Sequence, residues 1–333
     1  HVCATSMFRG RPAMPASFPT MAPLAQVEFY CNEARQEYRQ ADHIRLLVFN
    51  CGLLRQRGVT GNILFENPPL ADERFEHLSG ALLSSDADVI ALSEIYEDAH
   101  VGRLLDSLKA TYPYHARGDA RGPLEKLHKF HNGLLFLSKH RIEDQALTKH
   151  ARAAPVEEMF GSKCMLAIRT SRGSLGRLFL VNMHTTAGGT DPEGADEIRQ
   201  SELQEAVDAC EAAALQGCRA VILGDLNMGP EASKDNYEFL LRHGYTDEVV
   251  RCCGDGQVVT WDPRNPLNSV GPHKTSPPQR CDHVFVHGAA GLRGSSMRMM
   301  FTDACVETSL GQSTISDHYG ILLNLVSGSA API

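Results

Sequence analysis

The sequence has no CxxC pair, although it carries ten cysteines: Cys3, Cys31, Cys51, Cys164, Cys210, Cys218, Cys252, Cys253, Cys281 and Cys305. That absence argues against a structural zinc site. Cys164, ahead of Met165-Leu166-Ala167, and Cys210, in a helical stretch, read as small buried hydrophobes, while the even count leaves disulfides open. No apolar run approaches the ~20 residues that span a bilayer, which excludes an integral helical membrane protein. Basic residues are in deficit, 32 against 40 acidic, for a net charge of −8, and a chain built to ride on nucleic-acid backbones carries the opposite excess. Tandem repeats and low-complexity linkers are missing too, so one large domain is the simpler expectation for 333 residues. At 43% hydrophobic and 22% charged, the composition excludes collagen-like, coiled-coil and wholly disordered chains.

What is present is a long alternation of short apolar runs and amphipathic stretches. Residues 1–41, rich in Pro, Met and Ala, read as an irregular arm leading into a short helix, and the His1 start reads as a processed or trimmed terminus. Strands are expected at Ile44–Phe49, Val89–Leu92, Leu134–Leu137, Cys164–Ile168, Leu178–Met183, Val221–Leu223, Val284–Val286 and Ile321–Leu325. Helical faces are marked by Phe75, Leu78, Leu82 and Leu83, by Val101, Leu104, Leu105 and Leu108, by about Asp196 to Leu215 closed by Gly217, and by Tyr237 to His243. The Pro-, Gly- and Asn-rich stretch from Cys252 to Gln279 reads as a long loop. These elements predict an α/β domain over 42–328, with 329–333 as a tail.

The chemistry lies in the polar residues at the strand ends. Asn50, Glu94, His184 and the Asp225/Asn227 pair close four strands, and Asp282 and Asp317-His318 stand just before the last two. One Asp after a strand is ordinarily turn chemistry, and one His is ordinarily structural. Six strand ends carrying Asn, Glu, His, Asp/Asn, Asp and Asp-His are not explained that way. Carboxylate and amide oxygens are ligands for a hard cation such as Mg²⁺. A histidine oriented by an aspartate can take a proton from water, and a second histidine with an amide can bind charge building on a phosphoryl oxygen.

Seven stretches occur in the order of the endonuclease/exonuclease/phosphatase superfamily, the DNase I-like fold, and the chain resembles it. They are Val48-Phe49-Asn50, Ala91-Leu92-Ser93-Glu94, Asn132-Gly133-Leu134 through Lys139, Val181-Asn182-Met183-His184-Thr185, Gly224-Asp225-Leu226-Asn227, Arg280-Cys281-Asp282-His283-Val284 and Ser316-Asp317-His318. The resemblance implies a four-layered α/β/β/α sandwich of two packed, mainly antiparallel sheets and a Mg²⁺-dependent phosphoesterase, with Mn²⁺ or Co²⁺ able to substitute. It implies Glu94 as main metal ligand with Asn50 assisting, and Asp317 as a metal-side or orienting carboxylate. His318 is implied as general base oriented by Asp282, Asp225 and Asn227 as the pair orienting water and phosphate, and His184 as a transition-state donor.

Within that superfamily, Thr260-Trp261-Asp262-Pro263, Ser316-Asp317-His318-Tyr319-Gly320 and the Lys163 segment resemble the neutral sphingomyelinase branch, although Cys164 and His283 stand where Gly and Tyr are common there. That branch implies hydrolysis of sphingomyelin to ceramide and phosphocholine. Asn132, Lys163, Trp261 and Tyr319 would be substrate-side residues. Trp261, the only tryptophan, either offers a ring face to a quaternary ammonium or anchors its loop, and Lys163 is either a phosphate ligand or a solvated edge residue. The expected partner is a lipid surface, met peripherally through the Cys252–Gln279 loop or the Met297–Phe301 run, though that run also reads as a core strand. A monomer, secreted or exported rather than cytoplasmic, fits the branch. A nuclease or a phosphoinositide phosphatase of the same fold is the alternative.

Overall fold

The stretch Ile44-Arg45-Leu46-Leu47-Val48-Phe49 buries residues on both of its faces, so it needs cover on both sides. The protein, a computed structural model, is described over residues 28–30, 43–57, 62–127, 129–154, 157, 161–187, 192–254, 258–270 and 274–328. The tail 329–333 and most of the arm, including the place for its short helix, lie outside the described residues. Inside the arm, Glu28–Tyr30 is a strand, β1.

Two sheets supply the cover. The first runs in the order β1, β14 (Leu292–Met300), β17 (Gly320–Ser327), β2 (His43–Asn50), β5 (Val89–Ser93), β7 (Leu135–Ser138), β6 (Tyr114–Ala116). The second runs β12 (Tyr245–Asp247), β13 (Asp282–His287), β11 (Arg219–Asp225), β10 (Gly176–His184), β9 (Cys164–Arg172), β8 (Ile142–Lys149). Only β2 with β5 and β10 with β11 pair in parallel among the described strands of these sheets. Hairpins β3 (Leu54–Arg57) with β4 (Ile63–Asn67), and β15 (Val306–Thr308) with β16 (Gly311–Ser313), stand apart.

Between the sheets lie Leu46, Val48, Phe136, Leu166, Leu180, Leu223, Val284 and Leu323, all buried. Helices α1 (Ala71–Ser84) and α2 (Asp98–Leu108) close the outer face of the first sheet through Phe75, Leu78, Leu82 and Leu104. Helices α3 (Pro192–Leu215) and α4 (Lys234–Arg242) close the second through Leu203, Val207, Cys210 and Leu240. This is the expected α/β/β/α sandwich. Leu83 departs from the expected helical face: at 42% exposure it points outward.

Strand β8 carried no sequence signal because Glu143, Asp144 and Gln145 lie on an exposed edge, where main-chain pairing to β9 holds the strand and only Ile142 and Leu147 pack on the core. The Met297–Phe301 run is sheet rather than surface: Met297 is 1% exposed in β14, and Met299, Met300 and Phe301 pack against the two cores. All eight described cysteines are thiols, and seven of them are buried. Among the described residues no helix is long and apolar enough to cross a membrane.

Candidate active site

Parallel β2 and β5 end together, Asn50 beside Ser93, and parallel β10 and β11 end together, His184 beside Asp225. Antiparallel β13 begins where β11 stops, placing Asp282 opposite Asp225, and the turn before β17 delivers Asp317 and His318 to the same rim. Side chains from six strand ends of two sheets thus converge on rigid supports.

At the centre sits the Asp225 carboxylate, 2% exposed. His318 Nε2 and His184 Nε2 each lie 3.8 Å from its Oδ2, and the Asn50 Nδ2 amide donates to that oxygen at 2.9 Å. The main-chain N–H of Asn227 donates to Oδ1 at 3.0 Å. Behind His318, Asp282 Oδ2 is 2.9 Å from Nδ1, the geometry of an oriented base. On the other side Glu94 Oε1 is 3.7 Å from His184 Nε2 and accepts from Asn50 Nδ2 at 3.2 Å. The backbones of Glu94 and Asn227 are left-handed (φ +56° and +45°), a conformation that side-chain-bearing residues adopt at a cost and keep where surroundings impose it. Gly224 of the Gly-Asp-Leu-Asn turn has φ +128°, and a Cβ there would lie 2.0 Å from the Met183 carbonyl oxygen, so only glycine fits.

The charges divide the site. Burial, and then the Asp317 carboxylate, raise the Glu94 carboxyl to about 7. Burial, and then the Lys163 ammonium, push the His184 imidazole down to about 3. Burial opposes charge on His318 as well, yet Asp282, Asp225 and Asp317 hold its pKa well above the ordinary value. Asp225 is held low in spite of its burial, chiefly by His318, whereas burial raises Asp282.

The loop carrying Thr260-Trp261-Asp262-Pro263 has a different task from the expected one. Trp261 and Tyr319, expected on the substrate side, are each 2% exposed, so neither presents an open ring face in this structure. Their segment instead clamps the base and its partner. Thr260 Oγ1 accepts from the Cys281 and Asp282 N–H groups at 3.0 and 3.2 Å, its carbonyl accepts from Tyr319 N–H at 2.7 Å, and Trp261 bridges His318 through main chain. Asn265 and Asn268 donate to the carbonyls of Ser316 and Asp317 at 2.9 and 2.8 Å.

The Asn50 oxygen accepts from Gly52 N–H at 2.9 Å while its amide nitrogen faces both carboxylates, so in this arrangement it ties Glu94 to Asp225. Lys163 and Asn132 line a cleft beside His184 with Tyr96, Phe130 and Glu157. Lys163 Nζ donates to the Thr185 carbonyl at 3.0 Å, the oxygen that also accepts from Asn227 Nδ2 at 3.0 Å, so lysine and amide converge. Lys163 is thus a partly buried cleft residue, not a solvated edge.

Sequence reasoning missed several supports. Ser316 Oγ donates to the Asn50 carbonyl at 2.7 Å, tying the rim of one strand to the Asp317 turn. Arg74, fully buried in α1, donates to the carbonyls of Cys51, Gly52, Pro68, Pro69 and Ile315. Asn182 Nδ2 reaches across the sheets to the Leu92 carbonyl at 2.9 Å, just beneath Glu94. Nothing in local spacing marks the Ser316–Asn50, Arg74–Ile315 and Asn182–Leu92 contacts, which span 266, 241 and 90 positions.

The donor set fits a hard divalent cation: the buried carboxylates of Glu94, Asp225 and Asp317 crowd one rim, and burial together with the Asp317 charge raises the Glu94 carboxyl, a strain that a cation would relieve. A geometric cluster of Asp225, Asp282 and His318 also gathers ligand-type atoms, but the 2.9 Å His318–Asp282 bond makes it a histidine–aspartate dyad.

Fold and rim together are those of a phosphoesterase-type centre, with a histidine–aspartate dyad, buried carboxylates and neutral donors gathered at one rim. The endonuclease/exonuclease/phosphatase family profile matches residues 49–318, and the chain belongs to that family. No curated protein sequence matches it. Solved structures that share the fold include sphingomyelinase C from Streptomyces griseocarneus, at 18% identity and TM-score 0.65 over 85% of this chain and 99% of that one. A double-mutant beta toxin from Staphylococcus aureus with bound magnesium ions matches at 16% identity and TM-score 0.65, over 86% of this chain and all of that one. TDP2 from Caenorhabditis elegans matches at 16% identity and TM-score 0.61, over 86% and 74%. At these identities the likeness is one of fold.

Proposed function

We propose that the chain is a Mg²⁺-dependent phosphodiesterase that hydrolyses sphingomyelin to ceramide and phosphocholine at a lipid surface. The observation that carries the phosphodiesterase part is the pair of histidines set 3.8 Å to either side of one buried carboxylate, one held by Asp282 and the other kept neutral. The sphingomyelin part rests on the Thr-Trp-Asp-Pro and Ser-Asp-His-Tyr segments, and on the sphingomyelinase and beta toxin among the fold's relatives.

Glu94 and Asp317 would hold the cation, with Asn50 keeping Glu94 and Asp225 in place. A cation held there would supply positive charge to the phosphoryl oxygens and would offset the carboxylate field around His318. His318 then accepts the proton of the attacking water through Nε2, while Asp282 fixes the ring through Nδ1. His184, neutral at physiological pH, donates to charge building on phosphorus, joined by Lys163 and the Asn227 amide on the cleft side.

The test is phosphocholine release from sphingomyelin liposomes with Mg²⁺ or with EDTA, beside a supercoiled plasmid and a His318→Ala control. Mg²⁺-dependent release that the variant abolishes, with the plasmid intact, is the expected result. Plasmid nicking without phosphocholine would keep the catalytic residues and move the substrate to nucleic acid.

A further inference from the structure

Asp282 and His283 are neighbours on β13 and therefore point to opposite faces of the sheet. Asp282 faces the rim and His318. His283, 0% exposed, lies on the outer face with Tyr237 and Phe285, ring centroids 5.6 and 5.3 Å away. It touches no candidate substrate contact, yet its ring nitrogens reach three separate segments. Nε2 lies 2.8 Å from the Met228 carbonyl oxygen and 3.1 Å from that of Arg280, and since carbonyls only accept, Nε2 carries the proton and donates to both. Nδ1 lies 3.1 Å from Asp247 Oδ2.

That Asp247 oxygen is itself pinned. It accepts from Tyr237 Oη at 3.1 Å and faces Arg280 Nη2 at 3.1 Å, while Oδ1 caps a short helix, α5 (Glu248–Cys253), through Val249 N–H at 3.1 Å. The two tethered carbonyls sit at informative places. Met228 follows Asn227 directly, and Arg280 stands two residues before Asp282. The same two turns are laced by Leu226 N–H donating to the Cys281 carbonyl at 2.8 Å, and the Arg280 carbonyl lies so close to Gly229 that a Cβ there would be 2.6 Å from it.

We propose that His283, anchored by Asp247, is a positioning residue that sets the Asn227 turn against the Asp282 turn, and so sets the general-base dyad against the phosphate-orienting amide. The inference rests on the phosphodiesterase reading of the rim but on no particular headgroup. A ring whose one Nε2–H is shared by both turns has one position in which both bonds survive, and a displacement of about 1 Å at a catalytic group is enough to cost ~10²-fold in rate.

The experiment compares wild type, His283→Phe and His283→Gln in the full chain with Mg²⁺, using bis(p-nitrophenyl) phosphate as a diester without headgroup. The phenylalanine keeps the ring packing and removes the donor; the glutamine restores an N–H. Expected for His283→Phe is a kcat lower by about tenfold to a hundredfold with KM within about twofold, most of it regained in His283→Gln. In a His318→Ala background the same substitution should cost less than about twofold, because its effect passes through the dyad. The downfield proton resonance of the His318–Asp282 hydrogen bond should shift in His283→Phe with no substrate or turnover involved. That readout separates failure of this inference from failure of the functional reading, since a wild type inactive on every diester leaves the resonance measurable. Unchanged kcat, equal losses in both backgrounds or an unmoved resonance would overturn the proposal. Should His283→Phe not fold, Tyr237→Phe removes one anchor of Asp247, and an unmoved resonance there overturns it equally.

Discussion

His184 and His318 are the same residue type, nearly equally buried at 5% and 6%, and equidistant from one Asp225 oxygen, yet their proton affinities move in opposite directions. The difference lies entirely in the neighbours. Around His318 stand Asp282, Asp225 and Asp317, and around His184 the strongest charge is the Lys163 ammonium. Burial favours the neutral ring in both places, and only three carboxylates outweigh it. One rim thereby holds a proton acceptor in waiting and a neutral donor, a division of roles set by environment.

The comparison breaks most severely on the His318 side. His318→Ala should lower kcat by ~10² or more at saturating Mg²⁺, with the circular-dichroism spectrum unchanged. A near-normal rate would remove His318 from the base role.

The metal side comes next. Because the Glu94 carboxyl is raised to about 7, proton and cation compete for it, so Mg²⁺ affinity should fall as pH drops below about 7 and level off above it. Isothermal titration across pH 5.5–8.5 checks this in buffers chosen on the order of that window. In Glu94→Gln the affinity should be weaker and the pH dependence lost; a pH-independent wild type would place the cation elsewhere.

On the other flank, Lys163→Met removes the charge that, after burial, most depresses His184. The His184 imidazole should then titrate above its present value of about 3, visible in its ring-proton resonances, with kcat reduced by about tenfold as the cleft loses a donor. A depressed histidine also signs the acid stability of the fold. The unfolded chain takes up a proton near pH 6.5 that native His184 refuses until about pH 3, so this group costs stability as pH falls through that window. His184→Gln should flatten the acid limb of a pH–melting curve relative to wild type.

The mildest perturbation is Trp261→Phe. Since the ring is buried and its Nε1 has no hydrogen-bond partner, the change should lower stability by about 1–2 kcal/mol through lost packing, with KM on choline and non-choline diesters altered alike. A rise in KM confined to choline substrates would return Trp261 to the substrate.

The pattern of hits and misses reflects range along the chain. Strands β2, β5, β10 and β11 were legible because central strands write their burial into consecutive residues such as Leu46-Leu47-Val48-Phe49 and Val221-Ile222-Leu223. β8 was not, because Glu143-Asp144-Gln145 buries nothing. The polar residue closing each central strand was equally visible, and the structure brings Asn50, Glu94, His184, Asp225, Asp282 and His318 to one rim. Orientation was a different matter. Whether Asn50 turns oxygen or nitrogen to its neighbours depends on Gly52, Glu94 and Asp225 together, and whether Trp261 shows its face depends on how its loop seats against Gln279 and His318.

By itself, then, the sequence determined the α/β class and the chemical inventory of the rim, since both reside in residue type and local period, while the four layers followed from the resemblance of its motifs. Tertiary structure alone decided which histidine keeps a proton, which amide end faces the carboxylates, and that the Thr260–Asn268 loop clamps the dyad. The physical reason is distance along the chain. Asn50 meets Asp225 across 175 positions and Arg74 meets Ile315 across 241, and electrostatic environment is a sum over such neighbours, which no local pattern encodes.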